Sequence, residues 1–323
     1  MKRVGIIGGS GYTGGELIRL VMHHPALELD FIFSTTRAGK PVTAAHPDLL
    51  GSLDITFTET VNADIDLLYL CLGHGNSRAF LEQHSFSKKT IIIDLGNDFR
   101  LNNDREFGGR QFVYGLPELQ KEAIEKATAI ANPGCFATAI QLALLPLAKN
   151  NLIKEAVHIN ATTGSTGAGV GLSGTSHFSW RNNNLSWYKP FTHQHLDEIT
   201  QSLKQLNMNN ELFFMPQRGA FTRGIFATAY TSFEGSLEEI KTLYKKYYAT
   251  HPFTQIAEEE ISLKSVVNTN FCFLHLHKHK NTLLITSVID NLIKGASGQA
   301  IQNTNIIMGW EENLGLQLKA SIF

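Results

Sequence analysis

Short runs of aliphatic and β-branched residues alternate, over the first hundred positions, with segments whose apolar residues recur every three or four places. Residues 3–7, 29–33, 65–72 and 90–95 predict buried strands, and residues 16–21 have helical spacing. Strands alternating with helices predict an α/β chain with a parallel, doubly wound sheet of Rossmann type. A further strand-like run, residues 127–131, leads into Asn132-Pro133-Gly134-Cys135, after which apolar residues at i, i+3 and i+4 over residues 139–148 predict a buried helix. Later residues read differently: strands at 156–161, 211–215, 224–233, 270–277 and 282–289, with a helix at 236–248 and a hairpin turn at 278–281 that includes His279. His275 and His277 fall on one face with Phe271 and Phe273, the pattern of a half-exposed or subunit-facing surface. The chain contains no repeat, heptad or low-complexity tract.

The pattern puts Cys135 at or just before the first turn of a helix. Unpaired N–H groups and the positive end of the helix dipole favour a thiolate there, and the same N–H groups suit the oxyanion of a tetrahedral intermediate. The plain alternative is a small buried residue. At the N-terminus, Gly8-Gly9-Ser10-Gly11-Tyr12-Thr13-Gly14-Gly15 joins a strand to a helix, the context of a dinucleotide fingerprint. The second strand ends in Ser34-Thr35-Thr36-Arg37 where an NAD site offers a carboxylate to the ribose 2′-hydroxyl. Hydroxyls and an arginine suit a 2′-phosphate instead and favour NADP, although Arg37 also reads as a solvated loop charge.

Ligands bind such sheets at the C-terminal ends of the strands, which makes His74 a wall of the cofactor cleft and Arg100 a candidate anion clamp. Cys71 lies in the third strand and reads as core. The loop 163–171, rich in glycine around Gly167, suits close approach of backbone to a flat ligand more than a linker. His193 and His195, with Glu198 on the following helix, allow a metal reading by residue type, but no second cluster supplies the remaining ligands. Acid–base work is the better reading: one histidine shuttles a proton and Glu198 orients a ring.

Composition narrows the partners. The chain has 323 residues, 43 % hydrophobic and 18 % charged, room for two domains with separate cores. A net charge of −1 gives no electrostatic case for nucleic acid or an anionic membrane, and no apolar run reaches the roughly 18 residues of a membrane span. The short apolar stretch after Met1-Lys2-Arg3 lacks a secretory pattern, and three cysteines without paired spacing suit a reducing compartment. A cytoplasmic enzyme of small molecules is expected.

Several separated motifs then converge: the Gly8 to Gly15 loop, Asp98-Phe99-Arg100, Tyr114-Gly115-Leu116-Pro117-Glu118, Pro133-Gly134-Cys135, Gly167-Ala168-Gly169, Thr192-His193-Gln194-His195 with Glu198, Arg223-Gly224, and Asp290-Asn291-Leu292 with Lys294-Gly295-Ala296. The chain resembles the N-acetyl-gamma-glutamyl-phosphate reductase family of the semialdehyde dehydrogenase group over essentially its whole length. The resemblance implies NADP-dependent reduction of an N-acylated glutamyl phosphate to its semialdehyde in arginine biosynthesis, through a Cys135 thioester with His193 or His195 as acid–base. It further implies cofactor contacts including Asn291, substrate contacts by Arg100 and Arg223, no metal, and a homodimer or homotetramer. On this basis residues 1–134 and 297–323 form the NADP-binding domain, the terminal helix returning to it. Residues 135–296 form an α+β catalytic and oligomerisation domain with a mixed sheet. The chain departs from the family at Phe136-Ala137, where Tyr-Pro is usual, at Gly96, often Ser, and at Val170, usually basic. Two other readings stay open: a relative acting on another acyl phosphate such as aspartyl phosphate, and a non-enzymatic NADP sensor.

Overall fold

The computed structural model describes residues 1–322, and the chain separates into two compact units, residues 1–133 with 296–317 and residues 134–295 with 318–322. In the first unit, β1 (Lys2–Ile7), α1 (Tyr12–Met22), β2 (Leu27–Phe33), β3 (Leu67–Leu70), α2 (Ser77–Gln83) and β4 (Ile91–Asp94) follow one another. A small hairpin, β5 (Glu106–Phe107) and β6 (Arg110–Gln111), precedes β7 (Val113–Tyr114), α3 (Pro117–Glu125) and β8 (Ala129–Ala131). Six strands pair in the order β2-β1-β3-β4-β8-β7, every pair parallel. β3 and β4 are buried throughout, as strands covered on both faces must be. β3 is shorter than its apolar run: Cys71 lies just past its end and is half-buried, not core as its run suggests, although its N–H still donates to Ile7 O at 2.8 Å.

One buried acid in this unit carries a pH signature. Asp94, fully buried at the end of β4, accepts from Ser77 Oγ at 2.6 Å and from the Gly96 N–H at 3.0 Å, both on Oδ1, while Oδ2 has no hydrogen-bond partner. Burial pushes its carboxyl up to about 6 against those two bonds, with Asp98 adding repulsion and Arg100 opposing it. A carboxyl raised above its ordinary value of 3.8 binds its proton more tightly folded than unfolded. Its stabilising contribution is therefore present below that value and lost as pH rises through about 6. Asp94→Asn, neutral throughout, should gain up to about 3 kcal/mol relative to the native chain between pH 4 and pH 7. Urea denaturation at both pH values measures it, and a pH-independent difference would show that Asp94 stays ionised.

The second unit starts with α4 (Cys135–Lys149) and continues through β9 (Val157–Thr163), α5 (Phe178–Arg181), β10 (Ser186–Trp187), α6 (His195–Lys204), β11 (Leu212–Arg218), β12 (Ile225–Ser232), α7 (Leu237–Tyr248), β13 (Thr254–Ile256), β14 (Cys272–His279) and β15 (Thr282–Ile289). The sheet order is β10-β11-β9-β12-β15-β14-β13, with β9–β11 and β13–β14 parallel and the other pairs antiparallel, hence a mixed sheet. His279 belongs to β14, so the hairpin turn is tighter than the polar run suggests.

β9 and β12 alternate buried and open positions, so one face of the sheet is covered and the other is not. On the covered face α4 lies across β12 and β15, α6 against β11, and α7 against β13 and β14. α4 is buried on almost every side, and its interior Pro146 removes the N–H that would bond the Leu142 carbonyl. Tyr248 OH donates to that carbonyl at 2.5 Å and Tyr244 OH to its neighbour Ala143 at 2.5 Å, so α7 repairs the ladder that the proline breaks. The open face shows registered rows, among them Phe213, His158, Tyr230, Leu284 and His277, in which the His158 ring stacks 5.1 Å from both Phe213 and Tyr230. Phe273 and His275 lie in the adjoining rows.

After a π-helical turn, Ile293–Ser297, the chain returns to the first unit as α8 (Gly298–Ile307). Its polar residues are internal: Tyr69 OH and Thr304 Oγ1 are 2.5 Å apart, Asn303 Nδ2 donates to Gly115 O at 2.9 Å, and His24 Nε2 lies 3.0 Å from Asn305 Oδ1. Among the described residues no helix is long and apolar enough to cross a membrane.

Candidate active site

In the first unit the glycine loop is built to its backbone path. Gly8 has φ +77°, and a Cβ there would stand 2.6 Å from Cys71 O; a Cβ on Gly14 would fall 2.7 Å from Gly9 Cα. Gly11 caps α1 with no side-chain cap and has space, since its nearest neighbour would be Gly8 O at 3.8 Å. The loop thus closes on itself at Gly8 and Gly14 and stays open at Gly11, between Ser10 and Tyr12 at the start of the helix. His46 Nε2, 2.7 Å from Gly9 O, supports the loop from below, and Ser297 Oγ donates to Thr13 O at 2.8 Å.

Ser10 Oγ, Ser34 Oγ and Thr36 Oγ1 form a chain of hydroxyls at 3.3 and 3.4 Å. Half-buried Arg37 donates to Ala44 O at 3.1 Å, and Asp30, the second acid of β2, is occupied by Asn62 at 3.0 Å. His74 is exposed beyond β3. Arg100 is buried, donating from Nε to Asn132 O at 2.8 Å and from Nη2 to Leu95 O at 3.0 Å. It braces the two strand exits with donors that an open anion clamp would keep for a ligand.

In the second unit Cys135 is the first residue of α4 and Gly134 is its N-cap. Glu198 Oε2 accepts from the Gly134 N–H at 3.0 Å, so this amide is taken and an oxyanion at the helix start must use amides further in. Glu198 Oε1 stands 3.8 Å from His195 Nε2; the carboxylate therefore serves the backbone beside the cysteine first and the imidazole second. His193 Nδ1 accepts from the His195 N–H at 3.2 Å, which in the neutral ring places the proton on Nε2. Both rings pack edge-on against Phe136, at 5.5 and 6.1 Å, and against each other at 4.6 Å. Both histidines and Glu198 are buried. The π-helical turn closes the other side: a Cβ on Gly295 would lie 2.8 Å from Cys135 Cβ.

Arg223 pairs with Asp290 at 3.1 Å. Asp290 also accepts from the Asn268, Leu292 and Ile293 N–H groups, making this pair a clasp for the turn into Ile293–Ser297. Asn291 receives the Gly224 N–H at 2.6 Å and donates to Thr166 Oγ1 at 3.0 Å, so it holds the loop that contains Gly167. Two residues not anticipated from the sequence join the site. Tyr188 lies edge-on to His193 at 5.6 Å, and the Arg218 guanidinium sits 4.6 Å over the Tyr188 ring. Burial, with the Cys135 charge nearby, pushes the Tyr188 phenol up to about 12 against the pull of Arg218. Its position five residues before His193 was the available signal. Among the described residues no group of three His, Cys, Asp or Glu is arranged for a metal.

Comparison with known proteins agrees with this architecture. Residues 3–127 match the family model "Semialdehyde dehydrogenase, NAD binding domain" and residues 135–291 match "Semialdehyde dehydrogenase, dimerisation domain". The chain belongs to the semialdehyde dehydrogenase family, and its first unit is a site for a nicotinamide dinucleotide. Solved structures share the fold at low identity: aspartate semialdehyde dehydrogenase II from Vibrio cholerae (TM-score 0.71, 14 % identity, 96 % of this chain and 98 % of that one) and the Candida albicans enzyme with NADP (TM-score 0.70, 14 %, 97 % and 99 %). Within the family the chain belongs with the N-acetyl-gamma-glutamyl-phosphate reductases. It is 59 % identical to the one from Flavobacterium johnsoniae, 56 % to that of Christiangramia forsetii and 52 % to that of Phocaeicola vulgatus, each over the full length of both chains.

Proposed function

We propose that the chain reduces N-acetyl-gamma-glutamyl phosphate to N-acetylglutamate 5-semialdehyde and phosphate, with NADPH, in arginine biosynthesis. The full-length likeness to reductases of that name supports the substrate, and a cysteine at the first position of α4 carries the chemistry. Cys135 Sγ attacks the acyl carbon, the carbon–oxygen bond to phosphate breaks, and a thioester remains. Bound NADPH supplies the hydride. His193 Nε2 protonates the oxygen that becomes anionic, and recovers that proton as the carbon–sulfur bond breaks and the thiolate leaves. His195 fixes the tautomer of His193 through its backbone N–H, and Glu198 holds the chain at Gly134.

The cofactor residues are Gly8, Ser10, Gly11, Tyr12, Thr13 and Gly14 for the pyrophosphate, Ser34 and Arg37 for the 2′-phosphate, and His74, Gly167 and Asn291 for the nicotinamide end. The hydroxyl chain from Ser10 to Thr36, and no carboxylate in residues 34–37, support NADP over NAD. Arg100 and Arg223 shape the substrate site through the backbone turns they brace. The open face of the second unit's sheet, with Phe226 and Tyr230 more than a third exposed, is the surface we assign to a second copy in a dimer. None of the three cysteines is in a disulfide, which suits a cytoplasmic enzyme.

The reverse reaction tests the reading: N-acetylglutamate semialdehyde, phosphate and NADP should yield NADPH only when phosphate is present, and NAD should serve poorly. Aspartate semialdehyde is the comparison. Turnover with the aspartyl compound alone, or without phosphate, would replace this function by the related dehydrogenase or by a hydrolytic one.

A further inference from the structure

The covered face of the second sheet ends in a group of cations that the steps above do not use. Arg218 closes β11 beside Thr163, the last residue of β9, with which it is paired in register. Both share the side of their strands that carries Phe214, and Phe214 packs 5.3 Å from Phe136 and 5.6 Å from His193. Arg218 Nε is buried without a hydrogen-bond partner, and so is Thr163 Oγ1. The guanidinium stacks on Tyr188, the ring that also meets His193.

Behind it lies a second, buried guanidinium. Arg181 donates to Arg218 O at 2.5 Å, to Thr175 O at 3.3 Å from both Nε and Nη2, and to Ser186 Oγ at 3.1 Å. Its partners are carbonyls and a hydroxyl, and among the described residues neither Arg181 nor Arg218 has a carboxylate partner. Burial, and after it the repulsion of Arg218, lowers the Arg181 guanidinium below its ordinary range. Two arginines side by side, one with a buried donor unused, form a site that an anion would complete.

We propose that Arg218, braced by Arg181 and stacked on Tyr188, is the anchor for a carboxylate of the substrate beside Cys135. The inference rests on the reduction proposed above. It adds a specificity-determining residue: the fork takes either the α-carboxylate of the glutamyl unit or a carboxylate at the end of its N-acyl group. Phosphate is the competing ligand for the fork, and the KM for phosphate separates the two.

The test uses the full-length protein and the variants Arg218→Gln and Arg218→Lys, with the semialdehydes of N-acetylglutamate and N-succinylglutamate. Arg218→Gln should raise the aldehyde KM by roughly 10- to 100-fold, leaving the phosphate KM and, within a few-fold, kcat unchanged; Arg218→Lys should fall between. An α-carboxylate anchor makes both aldehydes suffer alike. An acyl-terminal anchor makes the native enzyme prefer the succinyl compound and only that compound suffer. A second readout needs no turnover: N-acetylglutamate or N-succinylglutamate should slow iodoacetamide labelling of Cys135 in the native protein and not in Arg218→Gln. Labelling is read in a Cys71→Ala background, because Cys272 is buried while Cys71, like Cys135, is only half-buried. Protection seen in the native protein and lost in Arg218→Gln, when the native protein turns over neither aldehyde, would keep the carboxylate site and sink the proposed reaction. Equal protection in native and variant protein, or a rise in the phosphate KM alone, overturns the anchor.

Discussion

Cys135→Ala should lose at least roughly 10⁴-fold in turnover while binding NADPH as tightly as the native chain. The loss is large because the thiol is the covalent carrier: without it the acyl phosphate has no thioester to pass through, and hydride must meet a poorer acceptor. The cofactor loop, Gly8 to Gly14, lies in a separate compact unit whose geometry does not involve the Cys135 side chain. The fold should tolerate the change, since an alanine at the first position of α4 keeps the helix and removes one sulfur. Cys135→Ser sharpens the test, because a hydroxyl keeps the size and the helix-start position but ionises far less readily than a thiol. The measurements are initial rates of phosphate-dependent NADPH formation and NADPH titration by fluorescence. Turnover within tenfold of native in either variant would remove Cys135 from the mechanism, and lost NADPH binding would mean that the variants report a damaged fold.

What the sequence disclosed, and what it hid, follows from how far each feature reaches along the chain. The strand, glycine loop and helix at the N-terminus lie within twenty residues, and their geometry is dictated locally by Gly8 and Gly14. The start of α4 at Cys135 was legible for the same reason: a proline and a glycine stop the preceding strand and an apolar helix follows. The partners of the charged groups were not legible, because they come from distant positions. Glu198 reads as an orienting residue for a nearby histidine, three positions away on its helix. Its hydrogen bond reaches Gly134, 64 residues back. Arg100 and Arg223 read as open cations, and tertiary folding gives them the Asn132 and Leu95 carbonyls and the Asp290 carboxylate.

Arg218 went unnoticed because only the register of β11 against β9 brings it to Thr163 and Tyr188. Polarity misleads in the other direction at α8. Gln299, Gln302, Asn303, Thr304 and Asn305 are all buried there, although their residue types in a helix suggest a solvated face. Asn303 and Asn305 each hold backbone carbonyls of neighbouring segments, a structural role that periodicity cannot signal.

The second large effect is expected at Gly134, where the conflict is with neighbours and not with the backbone. Its φ of −69° and ψ of 149° are open to alanine. An added Cβ, however, would stand 2.5 Å from His195 Nε2 and 2.7 Å from both Glu198 Oε1 and His195 Cδ2. Both side chains are buried, so neither can swing into solvent. Relief must come from moving the His195 ring, breaking the bond from the Gly134 N–H to Glu198, or displacing the first turn of α4. Each of these shifts Cys135 relative to His193, and a displacement near 1 Å costs on the order of 10²-fold in rate. Gly134→Ala should therefore reduce kcat by roughly 100-fold or more, with a stability loss of about 1–3 kcal/mol typical of overpacking. The sign is informative, because a glycine-to-alanine change at a relaxed position stabilises by about 0.4–1 kcal/mol through the unfolded chain. Gly11→Ala is the matched control: its Cβ meets nothing nearer than Gly8 O at 3.8 Å and its φ of −84° is open to alanine, so it should gain about 0.4–1 kcal/mol in stability, keep kcat and raise only the KM for the cofactor. Thermal melts and steady-state kinetics of the two variants decide the matter. A Gly134→Ala protein that melts higher than native and turns over normally would show that His195 and Glu198 can retreat, and that their close packing on Gly134 does not position the nucleophile.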